Sequence, residues 1–144
     1  MAVSESVPSD AVPDFADAGS RRRLSGPGLR TFAKIAAAWQ LSELEAQQAI
    51  GAPSAEIYAA WLAQALQHQT VELPVEVLMR ISAILGVYGA LHTVWNDDDA
   101  PKWLRSPNHG PVFAGATPIS FLVSSSFGEL LTLRRFLDAK AAGN

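Results

Sequence analysis

The sequence contains no cysteine among its 144 residues, which excludes disulfides, thiolate catalysis and the usual cysteine-based zinc sites. No apolar run approaches the ~18 residues that a membrane helix needs, and the N-terminus lacks a basic-then-apolar signal pattern. The longest candidate run, residues 81–94, is interrupted by serine, glycine and histidine. Charge of one sign is not in excess either, because the formal net charge is only −3. We therefore predict a cytoplasmic protein that does not enter a membrane.

The chain also lacks the spacing of a catalytic or metal site. His68, His92 and His109 are far apart, and none has a second ligand three or four residues away. The serine run 124–126 is not part of a Gly-x-Ser-x-Gly motif, and the acidic run 97–99 lacks the glycine and distal glutamate of a calcium loop. The simpler interpretations are that the serine run is a joint between helices and that the acidic run is a solvated loop. We expect no enzyme, no metal and no cofactor.

What the sequence does contain is helical patterning. Apolar residues recur at three- and four-residue spacing in several segments, and no segment has the pattern of a strand, so we predict an all-α protein. Residues 1–27 are rich in Ser, Pro, Ala, Asp and Gly, and we predict a disordered arm there, with the first helix starting near Gly28.

The next segment has the pattern of a helix-turn-helix unit. Ser42 and Glu45 have the spacing of a capping box, Gly51 is a helix stop, and Ser54 is a candidate N-cap for the third helix. Three helices with short joints, the middle one brief, are typical of a helix-turn-helix. We assign this unit to residues 28–70, and we predict that Ile57, Ala60, Trp61 and Ala65 form the inner face of its third helix.

The C-terminal half, residues 71–144, predicts a second helical domain. A long helix should run from Pro74 to about Trp95, followed by a short helix around Trp103. Pro118 has the position of a first-turn proline, and a last helix should begin near Phe127 with Leu130, Leu133 and Leu137 packed on the domain.

Six landmarks in this half follow one another in the order of a known family. They are Arg80-Ile81-Ser82, Leu85-Gly86-Val87-Tyr88, Trp103-Leu104, Pro107-Asn108, Phe113-Ala114-Gly115 and Arg134-Arg135-Phe136-Leu137-Asp138-Ala139. The half resembles the toxin-binding domain of Xre/MbcA/ParS antitoxins, and residues 39–51 resemble the helix-turn-helix half of the same proteins. Family members commonly have a glycine between the last two helices, whereas this chain has three serines there.

The resemblance implies an antitoxin of a type II toxin–antitoxin system. Its partner would be a RES-domain toxin that acts on NAD as an ADP-ribosyltransferase or NADase, and the antitoxin's C-terminal region would cover the toxin's active site. The resemblance also implies repression of the operon through DNA binding. We expect a homodimer and, with the toxin, a heterotetramer or a larger complex.

Charged residues crowd the last helix, and the resemblance gives them a role. NAD-binding clefts receive phosphates, so Asp138 could take their place while arginines meet acidic residues at the rim. Trp103 follows an acidic loop and precedes a turn, which makes it a candidate anchor. The predicted toxin-binding residues are Trp103, Asn108, Arg134, Arg135, Asp138, Lys140 and Asn144. The alternative is a charged outer face with cations near a helix C-terminus.

DNA binding is predicted from a second set of residues. These are Arg21, Arg22 and Arg23 for phosphates, with Ser54, Tyr58 and Gln64 for bases. The presumed recognition helix, residues 54–67, holds no Lys or Arg, so we expect weak binding by the antitoxin alone. Under the other interpretation the arginines are only a linker. A stand-alone helix-turn-helix repressor with a dimerising C-terminal domain is the alternative function.

Overall fold

The computed structural model describes residues 15–144, and this part of the chain folds into seven α-helices without a strand. The helices are α1 (Ala18–Ala38), α2 (Glu43–Ile50), α3 (Ala55–Leu66), α4 (Val75–Val94), α5 (Asp99–Arg105), α6 (Pro118–Leu122) and α7 (Phe127–Ala141). The prediction of an all-α protein is confirmed.

Helix α1 begins ten residues earlier than the sequence indicated. The side chain of Asp17 caps it by accepting a hydrogen bond from the Ser20 amide at 2.9 Å. The predicted start near Gly28 is therefore wrong, and only residues 1–14 of the predicted arm lie outside the described residues. Composition was misleading because the small residues are packing residues: Ser25 is fully buried, and its hydroxyl accepts from the Leu73 amide at 3.0 Å.

The local predictions for α2 and α3 are confirmed. Ser42 and Glu45 form the capping box, with Ser42 N donating to Glu45 Oε1 at 2.9 Å and Glu45 N donating to Ser42 Oγ at 3.0 Å. Gly51 ends α2 in the left-handed conformation with φ 75°, which a Cβ would oppose. Ser54 caps α3 through the Ile57 amide. A four-residue joint thus separates α2 from α3, and the helix-turn-helix identity of this unit stays a prediction.

The buried face of α3 differs from the predicted one. Tyr58 and Ala65 are buried, Trp61 is half-buried, and Ile57 is 39% exposed. The Tyr58 ring packs edge-on against Phe32 of α1, with ring centroids 6.3 Å apart. The helix is thus rotated so that Tyr58 faces the core in place of Ile57, and the larger of these two side chains is removed from water. Tyr58 belongs to the core, which corrects its assignment to base reading.

Helix α4 is the centre of the core. It packs along α7 and also contacts α1 and α2. By length and hydropathy alone it could cross a membrane, but half of it is buried inside the protein, as in the core helix of a globular fold. On α4, Leu78 and Ile81 are buried, whereas Leu85 is 39% exposed. Helix α4 is therefore covered on several sides, by α7, α1 and α2.

Helix α7 matches its prediction closely. Leu130, Leu133 and Leu137 are fully buried, as expected. The helix ends in a Schellman motif in which Gly143 is left-handed with φ 91°. The Asn144 amide donates to the Ala139 carbonyl at 2.8 Å, closing that motif.

An ion pair joins the N-terminal helices to α5 and gives a pH prediction. Arg105 donates two hydrogen bonds of 2.9 Å to the Glu45 carboxylate, and these lower the pKa of Glu45 from 4.5 to about 2. Because the folded-state pKa is lowered, the pair stabilises the fold above about pH 4.5, and this contribution is lost as the pH falls toward 2. Arg105 is 40% exposed, which limits the contribution of the ion pair to about 1 kcal/mol.

Arg105→Met should lower the free energy of unfolding in urea by about 1 kcal/mol at pH 7. The difference between the variant and the parent chain should narrow below pH 4.5. A difference independent of pH would contradict this assignment.

Candidate functional site

An aromatic cluster forms the centre of the C-terminal domain. The Trp103 indole stacks with Trp95 at 4.8 Å and with Phe136 of α7 at 6.0 Å between ring centroids. Phe113 packs edge-on against Trp103 at 6.0 Å and against Phe136 at 5.0 Å. Trp103 is half-buried, so part of its ring supports the fold and part is available to a partner.

A short loop brings Phe113 into this cluster, and Asn108 shapes the loop. The Asn108 side chain accepts a hydrogen bond from the Gly110 amide at 2.9 Å. Its backbone amide donates to the Ala116 carbonyl at 3.0 Å, and its carbonyl accepts from Gly115 at 2.7 Å. Asn108 therefore acts first as a turn residue.

Helix α7 carries four of the remaining predicted toxin-binding residues away from its buried leucines, and Asn144 follows the end of the helix. At 100° per residue, the charged side chains separate into two flanks and a ridge. Arg134 and Asp138 lie on one flank, where Arg134 Nε is 3.6 Å from Asp138 Oδ2. Lys140 lies on the other flank, with its Nζ 5.5 Å from the centre of the Phe136 ring. Arg135 lies between the flanks, opposite the buried leucines, and is exposed.

A glycine of α4 gives Arg134 its place. A methyl group at Gly86 would come within 3.0 Å of three guanidinium atoms of Arg134, so the guanidinium lies directly on the bare backbone of α4. Gly86 thus lets Arg134 lie flat against α4 while it reaches Asp138. The space that the Arg134 guanidinium needs is a structural reason for a glycine at position 86, which is part of the second landmark.

Two of the predicted DNA-binding arginines are engaged by other residues of this chain. Arg21 donates to the Phe15 carbonyl at 2.8 Å and pairs with Glu72, as does Arg22 at 3.0 Å. Arg23 is exposed and has no ion pair in the part of the chain that the structure describes. On α3, Gln64 is exposed and Ser54 is the helix cap.

Sequence reasoning named Arg80 only as a landmark of the resemblance and missed its structural role: it is 6% exposed in the first half of α4. Its Nε donates to the Ala49 carbonyl at 2.6 Å and its Nη2 to the Leu122 carbonyl at 3.0 Å. Burial lowers the pKa of Arg80, but an arginine remains charged. The signal was present in the sequence, because Arg80 is the one cation in the apolar segment 77–91.

His92 makes two polar contacts and packs among aromatic side chains. Its Nε2 accepts a hydrogen bond from the buried Trp39 indole at 3.1 Å, and its Nδ1 lies 2.8 Å from Asp97 Oδ1. The ring also stacks on Tyr88 at 4.1 Å. This chain of contacts links α1 to the loop before α5.

Residues 90–143 match the family model described as the antitoxin Xre/MbcA/ParS C-terminal toxin-binding domain. The matched segment contains the aromatic cluster, the Asn108 loop and all of α7. No curated protein and no solved structure matches the chain.

Proposed function

We propose, from the match of residues 90–143 to the toxin-binding domain of Xre/MbcA/ParS antitoxins, that the protein neutralises a RES-domain toxin that acts on NAD. It acts by binding rather than by catalysis, in the cytoplasm, as a homodimer within a larger toxin–antitoxin complex. The observation that carries the proposal is the family match over residues 90–143, which includes every predicted toxin-binding residue except Asn144.

The outer side of α7 supports the way in which the toxin would be covered. Arg135 is exposed and has no ion pair among the described residues, so its charge is available to an acidic rim. Arg134 and Asp138 are already oriented by each other and by α4. Preorganised charges lose less side-chain entropy on binding than mobile ones. We propose that Asp138 takes the place of a cofactor phosphate in the toxin cleft while the arginines contact its edge.

The partner is tested by co-expression with the product of the neighbouring gene. We expect a RES-domain protein to co-purify with this chain at a fixed stoichiometry. Absence of such a gene, or failure of its product to bind, would instead favour a stand-alone helix-turn-helix repressor.

Gly86→Ala is expected to weaken toxin binding about tenfold while leaving the fold intact. The new methyl group must displace the Arg134 guanidinium, which is the flexible end of a side chain, so the shift costs the fold little. Alanine is also favoured over glycine in a helix interior by about 0.5–1 kcal/mol, so the melting temperature should not fall. Isothermal titration with the purified toxin and a thermal melt measure the two effects.

Gly89→Ala is the matched control on the same helix. A Cβ at Gly89 meets no atom within 4 Å, so this variant gains the same helix propensity without moving Arg134. Equal toxin affinity of the two variants would show that the position of Arg134 does not matter for binding.

DNA binding is a secondary part of the proposal. Two of the three arginines are engaged by Glu72, and Tyr58 is buried, which leaves Arg23, Gln64 and Ser54 as the accessible candidates. So few contacts predict weak binding by one chain. We therefore propose that operator binding belongs to the toxin–antitoxin complex, in which several copies would contribute.

A further inference from the structure

A pocket of about 430 Å³ lies where α2, the start of α4 and the α6–α7 joint meet. Its lining combines apolar side chains with polar groups: Met79 and Phe127 on one hand, and Gln48, Ser125 and Arg80 on the other. It is separate from the outer face of α7 described above.

The positive charge of Arg80 in this pocket has no carboxylate partner within 4 Å in the described part of the chain. Two backbone carbonyls satisfy Nε and Nη2, but they are neutral groups and leave the guanidinium with its net charge. Among the described residues, Nη1 of Arg80 has no hydrogen-bond partner, and every side-chain nitrogen that is sealed from solvent has one. Nη1 is therefore in contact with the solvent of the pocket that Arg80 lines. A buried charge of this kind is costly unless a counter-charge accompanies it.

Further hydrogen-bond donors surround the same space. Helix α7 begins at the pocket without a side-chain cap, so the amides of its first turn carry the positive end of a 15-residue helix. The Ser125 hydroxyl and the Gln48 amide line the pocket and make no side-chain hydrogen bond among the described residues. The opposing group is Glu76, one helical turn before Arg80 on the exposed rim, and its carboxylate repels anions.

We infer that this pocket binds a small oxyanion, a carboxylate or a phosphate, whose oxygens accept hydrogen bonds from Arg80 Nη1 and from Ser125. A bound anion contacts α2 and the α6–α7 joint together, so it ties the N-terminal helices to the toxin-binding domain. Glu76 sets the affinity, because it is the acidic side chain that lines the pocket.

The test is titration of the full chain with inorganic phosphate and, in a second arm, with acetate, both at constant ionic strength. Backbone amide NMR shifts report binding at individual residues. We expect saturable shifts centred on Gly51, Ser125 and Phe127 in at least one arm, and the arm that saturates at the lower concentration identifies the class of anion. Absence of saturable shifts at these residues in both arms would overturn the proposal.

Glu76→Gln distinguishes an anion site from a purely structural arginine. Removing a like charge from the rim should tighten binding about fivefold, which a structural role of Arg80 does not predict. Glu56→Gln is the control, because Glu56 is an exposed carboxylate in the first turn of α3 and does not line this pocket.

Arg80→Lys retains the charge but loses the planar guanidinium group, so it should weaken anion binding at least about tenfold. If Arg80→Lys does not fold, the Glu76→Gln comparison still decides, and equal affinities of Glu76→Gln and Glu56→Gln would contradict the site.

Discussion

Replacing Arg80 by methionine is expected to reduce the free energy of unfolding by about 2–3 kcal/mol, because two buried carbonyls lose their hydrogen-bond donor. Methionine fills much of the same volume but donates no hydrogen bond, so the carbonyls of Ala49 and Leu122 lose their donor inside the protein. These carbonyls belong to the ends of α2 and α6, so the substitution removes the hydrogen bonds by which Arg80 connects the two helices. Urea unfolding followed by far-UV circular dichroism measures the loss.

Arg135→Met is the matched control for this stability prediction. Arg135 is exposed and has no ion pair among the described residues, so the same change in side chain should alter the free energy of unfolding by less than about 0.5 kcal/mol. A loss below about 1 kcal/mol for Arg80→Met would show that water or a shifted backbone replaces the guanidinium easily.

Arg135→Glu is expected to lower the affinity for the toxin by about 30-fold to several-thousand-fold, the equivalent of 2–5 kcal/mol. The substitution reverses the charge at the most outward position of α7, where we propose that it meets an acidic rim. It touches none of the buried leucines, so the fold should be retained. A substitution is a sharper test than truncation after Leu137, because truncation also removes the hydrogen bonds that close α7 at Gly143 and Asn144.

Lys34→Glu controls for the change in net charge. Lys34 is exposed on α1, outside the segment that matches the toxin-binding family, and its reversal changes the net charge by the same amount. Surface plasmon resonance with immobilised toxin compares the variants. Equal affinities of Lys34→Glu and Arg135→Glu would place the toxin contact away from the ridge of α7.

Local signals in the sequence predicted the end of α2 and the starts of α2 and α3 well, because a cap is a short-range arrangement. Ser42, Gly51 and Ser54 carry out in the structure what their spacing indicates. Leu130, Leu133 and Leu137 likewise follow the period of a helix with one buried face.

Failures arose where packing between distant segments decides the outcome. The small residues around Ser25 resemble a linker in composition, but contact with Leu73, 48 residues away, makes them part of a buried helix. Tyr58 could not be placed by spacing alone, since the ring of Phe32 selects which side of α3 faces the core. The structural role of Arg80 was missed because its partners are carbonyls, whose positions depend on the fold and not on residue type.

The candidate site shows the same division between local and tertiary information. All seven predicted toxin-binding residues lie within residues 90–143, the segment that the family model matches, or directly beside it. They did not reveal that Trp103 is stacked between other aromatic rings or that Asn108 builds a turn, because both roles depend on Phe113 and on contacts formed by the loop.

The central claim is that this chain protects NAD from a partner toxin through α7. The most direct measurement is the NAD level in cells that express the product of the neighbouring gene alone, with the parent chain, or with the Arg135→Glu variant. The account predicts depletion with the toxin alone, NAD at the toxin-free level with the parent chain, and renewed depletion with the variant at equal expression. Continued depletion in the presence of the parent chain, or full protection by the variant, would contradict it.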